Sequence, residues 1–86
     1  MERFSAFEDS ALRGRMERLQ RAERDLDERA RSRARQAQVE GRWVPSDPIY
    51  QRLSSVLRQV RNDLRDAEQE SAKRASASAL RELAAA

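Results

Sequence analysis

The sequence contains no cysteine and no histidine. Disulfide bonds and thiolate metal sites are therefore excluded, and so is any catalytic arrangement that depends on an imidazole. Nucleophilic catalysis also needs a pocket, which a chain of 86 residues has little room to build. We therefore expect a non-enzymatic protein that holds no cofactor and no metal ion.

Aromatic residues and long apolar runs are also scarce. Aromatic side chains make up 5% of the chain, and no segment approaches the roughly 20 apolar residues that span a bilayer. The first residues lack the apolar core of a secretory signal peptide. These features predict a cytoplasmic protein that uses no membrane, and the heavy use of arginine and alanine favours a GC-rich bacterial or phage genome.

Glycine and proline occur only twice each, and three of the four lie in or beside one short stretch, at Gly41, Pro45 and Pro48. A glycine directly after a periodic segment is typical of a helix C-cap, because glycine adopts the left-handed conformation without strain. Asp47 followed by Pro48 is typical of a helix N-cap with proline at the first helical position. The stretch therefore predicts a turn between two helices.

The first half of the chain carries an apolar stripe at heptad spacing. Ser5 and Glu8 fit a capping box, which predicts a helix start near residue 5. Glu23 and Arg33 interrupt the stripe, and the pattern predicts helix 1 over about 5–40, followed by a turn over 41–47. The stripe consists of Leu12, Met16, Leu19, Leu26, Ala30 and Ala37.

The second half repeats the pattern and predicts helix 2 over about 48–83. Its apolar residues follow one another by three or four positions, with Leu57 widening the stripe on one side. From Ser71 onward the sequence is rich in alanine and serine, and we expect the helix to continue into this region. The stripe consists of Ile49, Leu53, Val56, Val60, Leu64 and Ala67.

Where one arm carries small side chains, the other arm carries large ones. When the arms fold back, Ala30, Ala34 and Ala37 face large residues near the turn, and Leu12, Met16 and Leu19 face small residues at the open end. Large side chains opposite small ones interdigitate without voids. The sequence therefore predicts an all-α fold, an antiparallel two-helix hairpin of coiled-coil type that forms a single domain over residues 1–86.

Such a hairpin leaves part of its apolar surface open, and we expect Leu26, Leu57 and Leu64 on that flank. The flank either joins a second copy in a four-helix bundle or binds a helical client. Tryptophan, tyrosine and arginine dominate the binding energy of protein interfaces. The candidate partner-binding residues are Arg42, Trp43 and Tyr50 at the turn, Leu57 and Leu64 on the flank, and Phe4 and Phe7 at the far end.

Our leading functional hypothesis is a small bacterial regulator that sequesters another protein. It would act as an antiactivator that masks a transcriptional regulator, or as a chaperone-like binder that covers an aggregation-prone helix. The hairpin is similar in general architecture to small antiactivators and secretion co-chaperones, and no residue motif ties it to either.

Two alternatives come from other classes. The first is a nucleic-acid-binding accessory protein that uses a basic segment made of Arg29, Arg31, Arg33, Arg35 and Arg42. It is less favoured, because 18 basic residues are interleaved with 15 acidic ones and a spacing of two scatters these arginines around a helix. The second alternative is a structural component of a phage or secretion assembly.

Overall fold

The computed structural model describes residues 4–85, which form two long helices joined by a short turn. Helix α1 spans Asp9–Val39, a 3-10 turn spans Val44–Ser46, and helix α2 spans Pro48–Ala85. The helices pack on each other in antiparallel fashion, and the described part of the chain contains no β-strand. The molecule measures 65 × 23 × 17 Å. The predicted helical hairpin is confirmed.

The turn begins and ends with the two caps that the sequence predicts. Gly41 has a φ of 70°, in the left-handed region. Its N–H donates to the carbonyl of Gln38 at 3.0 Å, and the Arg42 N–H donates to the carbonyl of Ala37 at 2.8 Å. This pair of bonds is the Schellman motif, which satisfies the last carbonyls of α1. At the start of α2, Asp47 Oδ1 accepts the N–H of Tyr50 at 2.8 Å, as an N-cap does.

The predicted capping box at Ser5 and Glu8 is wrong. Helix α1 begins at Asp9, and its N-cap residue Glu8 makes no side-chain capping bond. Residues before it form a turn in which the Phe7 N–H donates to the Phe4 carbonyl at 3.2 Å. This turn lets the buried ring of Phe4 join the core cluster, which offsets the missing cap.

The stripe of α1 is the seam that the heptad spacing predicts. Leu12, Leu19, Ala30 and Ala37 are buried, and Leu26 is half-buried. The two charged residues that interrupt the stripe form ion pairs across the hairpin. Glu23 contacts Arg61 at 3.6 Å, and Arg33 contacts Asp47 at 2.9 Å. The interruptions therefore connect the two arms.

The predicted seam of α2 is wrong in its first turns. Leu57 and Leu64, expected on an open flank, are only 6% and 7% exposed, whereas Ile49 and Val56, expected in the seam, are 51% and 45% exposed. The reason is the strict alternation of three and four residues in coiled-coil packing. A seam that runs through Leu57, Val60, Leu64 and Ala67 places Val56 about 100° away around the helix.

Glu70 and Arg74 also lie in this interface, although both are charged. Glu70 is buried, and Arg74 Nε donates to its Oε1 at 3.0 Å. Arg74 Nη1 donates to Asp9 Oδ1 at 2.8 Å, and its Nη2 donates to the carbonyl of Phe4 at 3.2 Å. Arg74 thus fixes the N-terminal segment onto α2.

The far end of the hairpin is only partly covered. Phe4 and Phe7 contact each other edge to face, with ring centroids 5.5 Å apart, but Leu80 and Leu83 are exposed. Because α1 starts beside Arg74, the rest of α2 extends past it. The rings of Phe4 and Phe7 therefore do not cover these two leucines.

Candidate functional site

The turn is held by a buried carboxylate that joins three segments. The side chain of Asp47 is completely buried and receives a forked pair of bonds from Arg33, with Nε to Oδ1 at 3.0 Å and Nη2 to Oδ2 at 2.9 Å. Arg42 Nη1 donates to the same Oδ2, and Arg42 Nε donates to Glu40 at 2.8 Å. The network ties α1, the turn and α2 together, so the turn is a rigid end of the molecule.

These bonds control the ionisation of the groups involved. The forked bonds from Arg33, the N–H of Tyr50 and the bond from Arg42 hold the pKa of the Asp47 carboxyl well below its usual range. Asp47 in turn raises the pKa of Arg33 and of Arg42. Asp47 therefore stays ionised at physiological pH, and its role is structural: it positions the residues around it.

One face beside this turn carries apolar side chains that are not covered by α1, which we call the apolar stripe: Ile49, Leu53 and Val56. Their spacing of four and three residues places them on one side of α2. Ile49 and Val56 are exposed, and Leu53 is half-buried.

The stripe borders a groove between the helices with a volume of about 570 Å³. Its opposite bank is polar and carries both signs of charge. The residues that line it are Asp25, Glu28, Arg29, Ser32, Arg33, Gln36, Ile49 and Leu53. The groove is therefore amphipathic, with apolar side chains on one bank and charged or polar side chains on the other.

A second groove, with a volume of about 460 Å³, is strongly basic; we call it the arginine groove. Its floor consists of Ala30, Ala34 and Leu57, and Tyr50 lies toward the turn. Arg61 and Arg31 both pair with Asp27, at 3.3 and 3.0 Å. The arginines that line the groove are Arg31, Arg58, Arg61 and Arg65, and all four are exposed.

The structure separates the predicted partner-binding residues into two groups. Trp43 is 73% exposed at the turn, Phe7 is exposed at the far end, and Tyr50 is half-buried. Phe4, Leu57 and Leu64 are buried within the hairpin and offer no surface to a partner. The prediction that Leu57 and Leu64 lie on an accessible flank is wrong, because both belong to the core that joins the two arms. Arg42 is exposed but engaged with Glu40 and Asp47.

The arginines of the predicted basic segment do not share one surface. Arg29 pairs with Asp25 at 3.2 Å, and Arg33 is bound to Asp47. Arg31 lines the arginine groove, and Arg35 is exposed and lies outside the residues that line it. The spacing of two residues does scatter them, as expected.

Sequence reasoning missed most of the residues that form the two accessible surfaces. It predicts Ile49 and Val56 in the seam because they lie seven residues apart and fit a heptad with Leu53, and only the packing of α1 on α2 excludes them. Arg58, Arg61 and Arg65 follow one another at the three-and-four spacing of a helix face, which is a detectable signal. Arg31 joins them only because α1 folds back on α2.

Comparison with protein-family models, with curated proteins and with solved structures gives no match. Across residues 4–85, no helix is long and apolar enough to cross a bilayer. Nor do those residues bring together three or more side chains that could hold a metal ion. The functional argument therefore rests on the two surfaces described above.

Proposed function

We propose that this protein is a small non-enzymatic binding module that holds an amphipathic helix of another protein against the apolar stripe. The observation that carries the proposal is the position of Ile49 and Val56. Both are large apolar residues, both are about half exposed, and both lie on the face of α2 that begins at the turn fixed by Asp47. A rigid framework of this kind lowers the entropic cost of binding.

The spacing of the stripe supports a helical partner. Side chains at 49, 53 and 56 recur once per turn of α2, so they match the anchors that a partner helix presents at three and four residues. The polar bank with Asp25, Glu28 and Arg29 provides both signs of charge for the flanks of such a helix. Trp43, at the same end of the molecule, adds a large exposed aromatic surface.

A second copy of this chain fits the stripe less well than a partner helix does. The stripe extends over about 10 Å, a small part of the 65 Å length. Stable interfaces bury about 800 Å² per partner, so a symmetric contact would have to extend well beyond the stripe onto charged surface. A single inserted helix contacts both banks of the groove and needs less area, because a few anchors carry the energy.

Binding of this kind would regulate the partner by masking its helix. A regulator whose interaction helix lies in the groove cannot reach its own target, which is the action of an antiactivator. A client helix prone to aggregation would be covered in the same way, as by a chaperone-like binder.

The test is affinity capture from the native host with three versions of the protein. We expect one protein to be captured by the wild type, to be lost with Ile49→Glu/Val56→Glu, and to be kept with the control Val39→Glu. Val39 is 89% exposed and lies outside the stripe, so its substitution adds a carboxylate without altering the groove.

The captured protein is then crosslinked to the hairpin, and the crosslinked segment is synthesised as a peptide. We expect the peptide to be an amphipathic helix and to shift the fluorescence of Trp43, the only tryptophan in the chain. Equal loss of capture with Val39→Glu, or a crosslinked segment without helical amphipathicity, would contradict the proposal.

A further inference from the structure

We infer that the arginine groove is a binding site for single-stranded nucleic acid, separate from the apolar stripe. The inference begins with the distribution of charge. Four arginines and one aspartate line the groove, and Glu23 contacts one of these arginines, Arg61, at 3.6 Å, which leaves an excess of two positive charges. The whole chain carries a formal net charge of +3. The local excess in the groove attracts a polyanion.

The arrangement of the arginines suits a flexible phosphate backbone. Arg58, Arg61 and Arg65 lie along about 10 Å of α2, and Arg31 faces them from α1. Guanidinium groups bind phosphate oxygens through two parallel N–H donors. Asp27 accepts from both Arg31 and Arg61, so it holds these two side chains in place across the groove.

The remaining lining residues favour nucleic acid over an acidic protein segment. Tyr50 provides an aromatic face toward the turn, on which a base can stack, and Ser54 and Asn62 supply hydrogen-bonding groups. The floor of Ala30 and Leu57 is already buried by contacts within the hairpin, so it offers little apolar surface to a partner helix. A positively charged channel with an accessible aromatic ring is the usual design for unpaired strands.

The geometry of the groove predicts a preference for single strands over duplex. It lies between two helices whose axes are about 8–10 Å apart, which is narrower than a duplex. A single strand can lie along it and turn its bases toward Tyr50. A duplex could contact only the outer guanidinium groups and would gain nothing from the ring.

The experiment measures binding of the protein to a labelled 20-nucleotide oligothymidylate by fluorescence anisotropy at several salt concentrations. With three to four phosphates neutralised, the slope of log affinity against log salt is expected to be roughly −2 to −3. Affinity should then fall about 15- to 60-fold between about 50 and 200 mM salt. The same strand annealed to its complement should bind more weakly.

The variants distinguish binding in the arginine groove from nonspecific electrostatic attraction to the protein. Arg58→Gln/Arg65→Gln should weaken binding at least about tenfold and make the slope shallower by about 1 to 2. The control, Arg21→Gln/Arg52→Gln, removes the same charge from exposed positions that do not line the groove and should change affinity less than about threefold. Tyr50→Leu should remove most of the preference for single strands, at least about fivefold.

Circular dichroism confirms that each variant is folded before binding is compared. Absence of binding at low salt, or an equal loss with Arg21→Gln/Arg52→Gln, would overturn the inference. A competitor polyglutamate that displaces the strand at equal charge concentration would overturn it as well, because the groove would then be a surface for acidic protein. The groove variants leave the apolar stripe unchanged. A failure of the nucleic-acid test therefore says nothing about the affinity capture of a partner through the stripe.

Discussion

Asp47 is the residue on which the turn depends. Its carboxylate caps α2 and also neutralises Arg33 and Arg42, so one side chain satisfies a helix terminus and two cations. An exposed aspartate at an N-cap would provide only the first of these contributions. The buried position of Asp47 makes the two arginine partners necessary, because a charge removed from water costs free energy unless it is paired.

We predict that Asp47→Asn lowers the melting temperature by about 10 °C. The amide can still accept the N–H of Tyr50, but it no longer neutralises Arg33, whose side chain is mostly buried. Thermal unfolding followed by circular dichroism measures the change. The matched control is Asp25→Asn, which breaks an exposed pair with Arg29 and should cost less than about 3 °C. Equal effects of the two substitutions would contradict the role given to Asp47.

The pH dependence tests the same carboxylate in the wild type. Because the pKa of Asp47 is lower in the folded state than in the unfolded state, the unfolded chain binds more protons as pH falls through about 4. Stability from this group is therefore fully present above about pH 4 and is lost progressively below it. The urea midpoint of the wild type should fall more steeply between neutral pH and about pH 3 than that of Asp47→Asn.

At the scale of the helix, α2 carries two adjacent stripes with different roles. The first, through Leu57 and Leu64, is buried against α1, and the second, through Ile49 and Val56, faces outward. Both have helical spacing and both contain large apolar residues. Their composition does not show which of the two stripes is buried. That depends on which stripe packs against α1.

We predict that Leu57→Ala destabilises the hairpin by about 2–3 kcal/mol, whereas Val56→Ala changes its stability by less than about 1 kcal/mol. Leu57 is buried, so its truncation leaves a cavity against α1, while Val56 gives up little buried surface. Urea unfolding of both variants measures the difference. A larger loss for Val56→Ala would mean that the seam runs through the stripe that we regard as open.

At the scale of the molecule, the hairpin is long and thin. Its radius of gyration is 18.3 Å over Cα atoms, whereas a compact globule of this length would have about 12 Å. A thin molecule has much surface for its volume, so it cannot bury all of its apolar side chains. The exposed apolar stripe follows from this shape.

We predict that small-angle X-ray scattering gives a radius of gyration close to 18 Å that does not change with protein concentration at micromolar levels. A single open rod of the same length would extend over about 130 Å and would give a much larger value. Growth of the radius with concentration would show self-association and would contradict the assignment of the stripe to a partner helix.

The sequence by itself determined the architecture. Gly41, Asp47 and Pro48 set both ends of the turn through local backbone preferences, and the heptad spacing of Leu12 and Leu19 set the face of α1 that is buried. These features depend on neighbours within a few residues, so a linear pattern contains them.

The tertiary structure alone decided which side chains remain exposed. The rotation of α2 about its axis places Leu57 inside and Val56 outside, and the antiparallel pairing brings Arg31 beside Arg61. Both outcomes depend on contacts between residues that are far apart in the chain. The physical reason is that burial depends on two packed surfaces. One helix can carry several apolar faces, and the helix that packs against it determines which face is removed from water.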